Sequence, residues 1–93
     1  RMMDLSERFR SSDRLRTYEF EVSEGPMAGR SIGELQFRQK TSATIVAVRK
    51  GEEILLSPGP QTVLSAGDVL VVACELSQLE AVSRLLGYPA ETR

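Results

Sequence analysis

The sequence contains no histidine and no tryptophan, and it carries a single cysteine, Cys74. Without histidine the usual general base near neutral pH and the commonest metal ligand are missing. One cysteine cannot form an internal disulfide, which fits a reducing compartment. No apolar run approaches the ~20 residues that span a bilayer as a helix, and no secretory signal pattern is present. No Walker pattern and no G-x-G-x-x-G occurs; Gly25, Gly29 and Gly33 are too far apart to cradle a phosphate. With catalytic residue types this scarce, an enzyme is not expected and no cofactor is expected.

Hydrophobic residues make up 41% and charged residues 27%, an ordinary globular balance that argues against disorder. Ninety-three residues are enough for one domain with a modest core. The net charge of −1 argues against a nucleic-acid polymer as partner. The charge is uneven: residues 1–16 carry +2 and residues 17–93 carry −3. That asymmetry suggests a separate unit at the start. The chain opens on Arg1 rather than methionine, and we expect it to be a piece of a longer protein.

Along the chain, Met2, Leu5 and Phe9 share one helix face before Ser11-Ser12-Asp13 breaks the pattern. Residues 1–16 therefore read as a connector, either a short amphipathic helix with a linker or a frayed terminus. Residues 17–23 alternate, with Tyr18, Phe20 and Val22 on one face and Glu19 and Glu21 on the other, as in a half-buried strand. Ser31 and Glu34 have capping-box spacing and predict a helix over 32–38. Residues 43–48 (ATIVAV) predict a central strand, and 54–56 its hairpin partner across Lys50-Gly51-Glu52. Pro58 and Pro60 forbid a helix or a central strand at their positions. Residues 61–64 predict a short strand, and 69–73 (VLVVA) a second buried one. Ser77 and Glu80 suggest another capping box. The stripe Leu79, Val82, Leu85, Leu86 marks a last helix, ending at Gly87 with Pro89 beyond. These elements predict an α+β fold: a mixed, mostly antiparallel five-stranded sheet with two helices on one face. The domain would occupy residues 17–88, with a tail over 89–93.

Most candidate chemical groups have a structural account. Cys74 reads as a small buried hydrophobe, with a reactive thiol as its alternative. Glu52-Glu53 sits at a hairpin turn, and Asp68 follows Gly67 where it can satisfy turn amides. Arg38 and Lys40 follow a helix, and Arg49-Lys50 closes a strand. These basic residues either balance a helix C-terminus and solvate a hairpin, or supply an anion site, since arginine forks onto phosphate.

Taken together, GPMAGRSIGELQFR (25–38), ATIVAVRKGE (43–52), the Pro58 and Pro60 break, LSAGDVLVV (64–72) and the closing helix over 76–87 resemble a known family. It is the C-terminal subdomain of regulators of potassium conductance, also called the TrkA-C domain. The resemblance implies a two-fold homodimer. It implies a cytoplasmic regulatory part of a potassium or other cation channel, carrier or antiporter, joined to a membrane transport domain or a partner transporter. It implies that cyclic di-AMP is a possible ligand shared at the dimer interface. Carried over by position, Arg38 would contact phosphate. Thr44 and Ile45 would line the pocket, and Glu53 and Pro60 would lie near the base. Binders of this pattern tend to carry asparagine where Thr44 stands and often histidine near Glu53. Two other readings stay open: a purely structural dimerisation module of a transport protein, and a small thiol protein built on Cys74.

Overall fold

The computed structural model describes residues 15–87. The expected connector and tail, apart from Leu15 and Arg16, lie outside them. Strand β1 (Leu15–Glu21) starts two residues before its alternation suggested. Helices α1 (Ile32–Leu35) and α2 (Phe37–Thr41) follow, then β2 (Thr44–Lys50), β3 (Glu53–Leu56) and β4 (Val69–Glu75). A 3-10 turn (Leu76–Gln78) leads into α3 (Leu79–Leu85).

The sheet order is β1-β4-β2-β3, and every neighbouring pair is antiparallel. β4 is paired on both edges, with β1 and β2. Its alternate residues Leu70, Val72 and Cys74 are buried beneath the helices. Val22, Met27, Leu35, Phe37, Ala43, Val48, Leu64, Val82 and Leu86 join them in the core cluster. Leu79 and Leu85 of the predicted stripe pack against its margin. Gly87 adopts φ +87, the left-handed cap expected of it.

The sheet has four strands among the described residues, not the expected five. Residues 61–64 are not paired into the sheet. They run beside the chain entering α1, through a single bridge between Ser31 and Val63. Leu64 N–H donates to Arg30 O at 2.9 Å and Gly29 N–H to Leu64 O at 2.7 Å. Ile32 N–H donates to Thr62 O at 2.9 Å and Gly33 N–H to Pro60 O at 2.7 Å. The segment thus finds its backbone partners at the helix entrance, and Leu64 pins it to the core.

The helix expected over 32–38 is divided at Gln36, which sits in the left-handed region at φ 52 and ψ 45. Leu35 and Phe37 are both buried, yet residues two apart point away from each other on a continuous helix. The break turns both inward. The first capping box forms as expected: Glu34 N–H donates to Ser31 Oγ at 3.2 Å and Ser31 N–H to Glu34 Oε1 at 2.8 Å. The second box is shifted by two residues. Because β4 continues to Glu75, Glu75 and Gln78 close it, with Glu75 N–H donating to Gln78 Oε1 at 2.9 Å. Glu80 instead pairs with Arg84 at 2.8 Å on the exposed face of α3.

Candidate functional site

The broken helix, the start of β2 and the proline segment after β3 enclose a cleft of about 320 Å³. Each wall has a local cause. Thr41 is buried at the end of α2: its hydroxyl donates to Phe37 O at 2.7 Å and accepts from Ala43 N–H at 3.0 Å. Ser42 then takes φ 63, and its N–H donates to Arg38 O at 2.8 Å. This tight exit sets Arg38 on one side of the cleft and Thr44 and Ile45 on the other. The third wall is Pro58 and Pro60. Pro60 reaches it because Gly33 has no side chain: a Cβ there would meet Pro60 O at 3.0 Å and Pro60 Cβ at 3.2 Å. Sequence reasoning weighed Gly33 only as a phosphate-loop glycine. Its part is to permit the close approach of the proline segment.

Arg38 is the only charged residue lining the cleft. Its side chain makes no ion pair or hydrogen bond within the described residues. Beside it the lining is apolar (Ile32, Phe37, Ala43, Ile45 and the prolines) with the amides of Gln36 and Gln39 at the rim. A cation over apolar walls, with no carboxylate among the lining residues, suits an anion that also carries flat apolar surface.

Four of the five residues named from sequence therefore share one cleft: Arg38, Thr44, Ile45 and Pro60. Glu53 does not line it. It begins β3, opposite Lys50 at the turn of the hairpin, whereas the cleft lies beyond the other end of that strand.

A second depression, of about 310 Å³, lies across the sheet end between Leu15, Ser42, Thr44, Val46, Cys74 and Gln78. Thr44 is shared by both. Cys74 is free and buried, and burial pushes its thiol up from the ordinary 9.0. A thiol held protonated is a poor nucleophile, which favours the structural reading of Cys74. At the other end of β2, Lys50 Nζ pairs with the buried carboxylate of Asp68, which also accepts Ser65 N–H at 2.9 Å. The expected turn role of Asp68 thus includes an ion pair that fastens β2 to the entry of β4. No group of three or more potential metal-ligating side chains occurs among the described residues.

The family model of the TrkA-C domain matches residues 17–87. The chain belongs to the TrkA-C family. Solved TrkA-C-type structures share its fold, including the "RCK_C domain dimer of S. agalactiae BusR in complex with c-di-AMP". That structure is 34% identical with a TM-score of 0.69, covering 75% of this chain and 93% of that one. The RCK C domain of the potassium transport protein KtrA, in complex with c-di-AMP, has a TM-score of 0.74 at 28% identity, with 86% and 93% covered. Among curated relatives, "Potassium channel protein 1" of Methanocaldococcus jannaschii is 45% identical over 47 residues, which are 50% of this chain and 14% of the relative. S. agalactiae BusR also matches in a complex with its busAB-promotor DNA, where 42% of that chain is covered. This chain spans only 14% to 38% of the length of three curated relatives it matches. No helix among the described residues is long and apolar enough to cross a membrane.

Proposed function

We propose that this TrkA-C domain is a cytosolic ligand-sensing and dimerisation module of a potassium or other cation channel, carrier or antiporter, and that it regulates rather than catalyses. Two copies pair and bind a small anionic dinucleotide at their interface, with cyclic di-AMP the leading candidate. The observation that carries this reading is Arg38, without a side-chain partner among the described residues, lining one cleft with the apolar Ile45, Pro58 and Pro60. It is supported by two similar structures, the RCK_C domain dimer of BusR and the RCK C domain of KtrA, each in complex with c-di-AMP.

In this account Arg38 forks onto a phosphate and Ile45 and the prolines cover the base, while Thr44 offers a hydroxyl at the mouth. A cleft of about 320 Å³ is near the lower end of ligand pockets, roughly 300–1,000 Å³, and suits one half of a dinucleotide. A ligand with its own two-fold axis then uses each protein group twice across a two-fold dimer. Binding shifts the attached transport machinery only by the difference in affinity between its two arrangements.

The net −3 of residues 17–93 does not favour a DNA contact through this domain. A second reading, a structural dimer module with an empty cleft, draws on Thr44 standing where an asparagine amide would offer a paired donor and acceptor. Thermal unfolding with and without cyclic di-AMP separates the two. A ligand that binds only the folded state raises Tm as its concentration rises; an unchanged Tm at millimolar ligand favours the structural module.

A further inference from the structure

The two faces of the sheet differ. One carries Leu70, Val72 and Cys74 of β4 into the core. The other carries Val69, Val71 and Ala73, which stay half-buried although β4 is paired on both edges. Side chains alternate between faces along a strand, so the register shows what else lies on this second face. Ala47 and Leu56 stand in the row of Val71, and Arg49 and Ile54 in the row of Val69. Ile54 and Leu56 are 60% and 76% accessible. On the β1 side the same rows end in Glu19 and Glu21. The depression of about 310 Å³ opens at one end of this face, with Val46 and Ala73 in its wall and Leu15, the first residue of β1, beside them.

We infer that residues 1–10 form an amphipathic helix that seats on this open sheet face of its own chain, with Phe9 in the depression and Leu5 and Met2 directed toward Leu56. The attachment point favours it, because the segment joins the sheet at Leu15, at the margin of the depression. Its reach is sufficient: residues 11–14 are four residues, which extend to about 13 Å. A helix over residues 2–10 has nine residues and is about 14 Å long. That matches the distance from β1 to β3, three strand spacings of ~4.8 Å. The apolar stripe Met2, Leu5 and Phe9 supplies what an apolar sheet face lacks. At 3.6 residues per turn Arg1 and Arg8 border that stripe, while Asp4 and Glu7 fall on the far side. The basic border suits the acidic rim made by Glu19 and Glu21. Thr44 lines this depression and the Arg38 cleft alike, so the seated segment lies behind one wall of that cleft.

Nuclear magnetic resonance of the full 93-residue chain tests the seating. Nuclear Overhauser contacts are expected between the Phe9 ring and the methyl groups of Val46 and Ala73. A sample mixing labelled and unlabelled copies separates contacts within a chain from contacts between chains. Phe9→Ser should abolish these contacts and lower Tm by roughly 4–8 °C, the response of a domain this size to one lost apolar contact. Met3→Ser, off the stripe, should leave contacts and Tm as in wild type. A Phe9 ring with no contact to the sheet, or a Met3→Ser variant as damaged as Phe9→Ser, would overturn the proposal. Contacts found only between chains would overturn it as well, by giving the face to the segment of a second copy.

Discussion

Arg38 carries the ligand account at the scale of single residues. Its guanidinium is exposed and has no partner within the described residues, while its backbone closes α2 through Ser42. Arg38→Ala should therefore leave folding unchanged and weaken cyclic di-AMP binding about 10- to 100-fold, the worth of a lost charge-assisted contact of about 1.5–3 kcal/mol. Titration calorimetry on the variant reads this directly, and equal affinity would remove Arg38 from the site. Asp68 makes the opposite case: its side chain is only 8% exposed and holds both Lys50 and the Ser65 amide. Asp68→Asn should cost about 1–3 kcal/mol in urea unfolding while leaving ligand contacts alone. Cys74 is a third kind of residue. Burial raises its pKa, so above pH 9 the unfolded chain loses the thiol proton more readily than the folded one. Stability should fall as pH rises through that range, because the unfolded state then binds fewer protons. Cys74→Ala should flatten that alkaline fall. A slope identical to wild type would show that the thiol is not its source.

Among the elements, those made by strict local pattern were legible in the sequence. β1 declares itself by alternation, the β2–β3 hairpin by Gly51, and α3 by its stripe and its glycine cap. What the sequence hid were elements whose partners are tertiary. Residues 61–64 look like a strand because they bond like one, but to the entry of α1 and not to the sheet. The break at Gln36 is set by the need to bury both Leu35 and Phe37, which no periodicity announces. The cleft shows the same division. Arg38, Thr44, Ile45 and Pro60 line one cleft, while Glu53, at the far end of a hairpin, does not line it. Gly33 was missed because its need is contact with Pro60, 27 positions along the chain. Gly33→Ala should push the proline segment outward, weaken ligand binding several-fold and lower Tm by a few degrees. A crystal structure of the variant with Pro60 unmoved would contradict this.

For the whole molecule, the arrangement separates two tasks. The core beneath the helices, reinforced by the Lys50–Asp68 pair, holds the sheet. One mouth of that core, between α2 and β2, forms the cleft. The proline wall of the cleft follows directly on β3, which ends at Leu56. Under the proposed function, a ligand shared by two copies couples binding to pairing, and such coupling is reciprocal: ligand would strengthen the dimer by the factor that dimer formation strengthens ligand binding.

The central claim is that two copies share one anionic dinucleotide, and the most direct measurement is calorimetric titration of cyclic di-AMP into the full chain with its solution mass determined in parallel. The account predicts saturable binding at one ligand per two chains and a dimer mass at saturation. Saturation at one ligand per chain on a monomer, or no heat at all from an intact dimer, would contradict it.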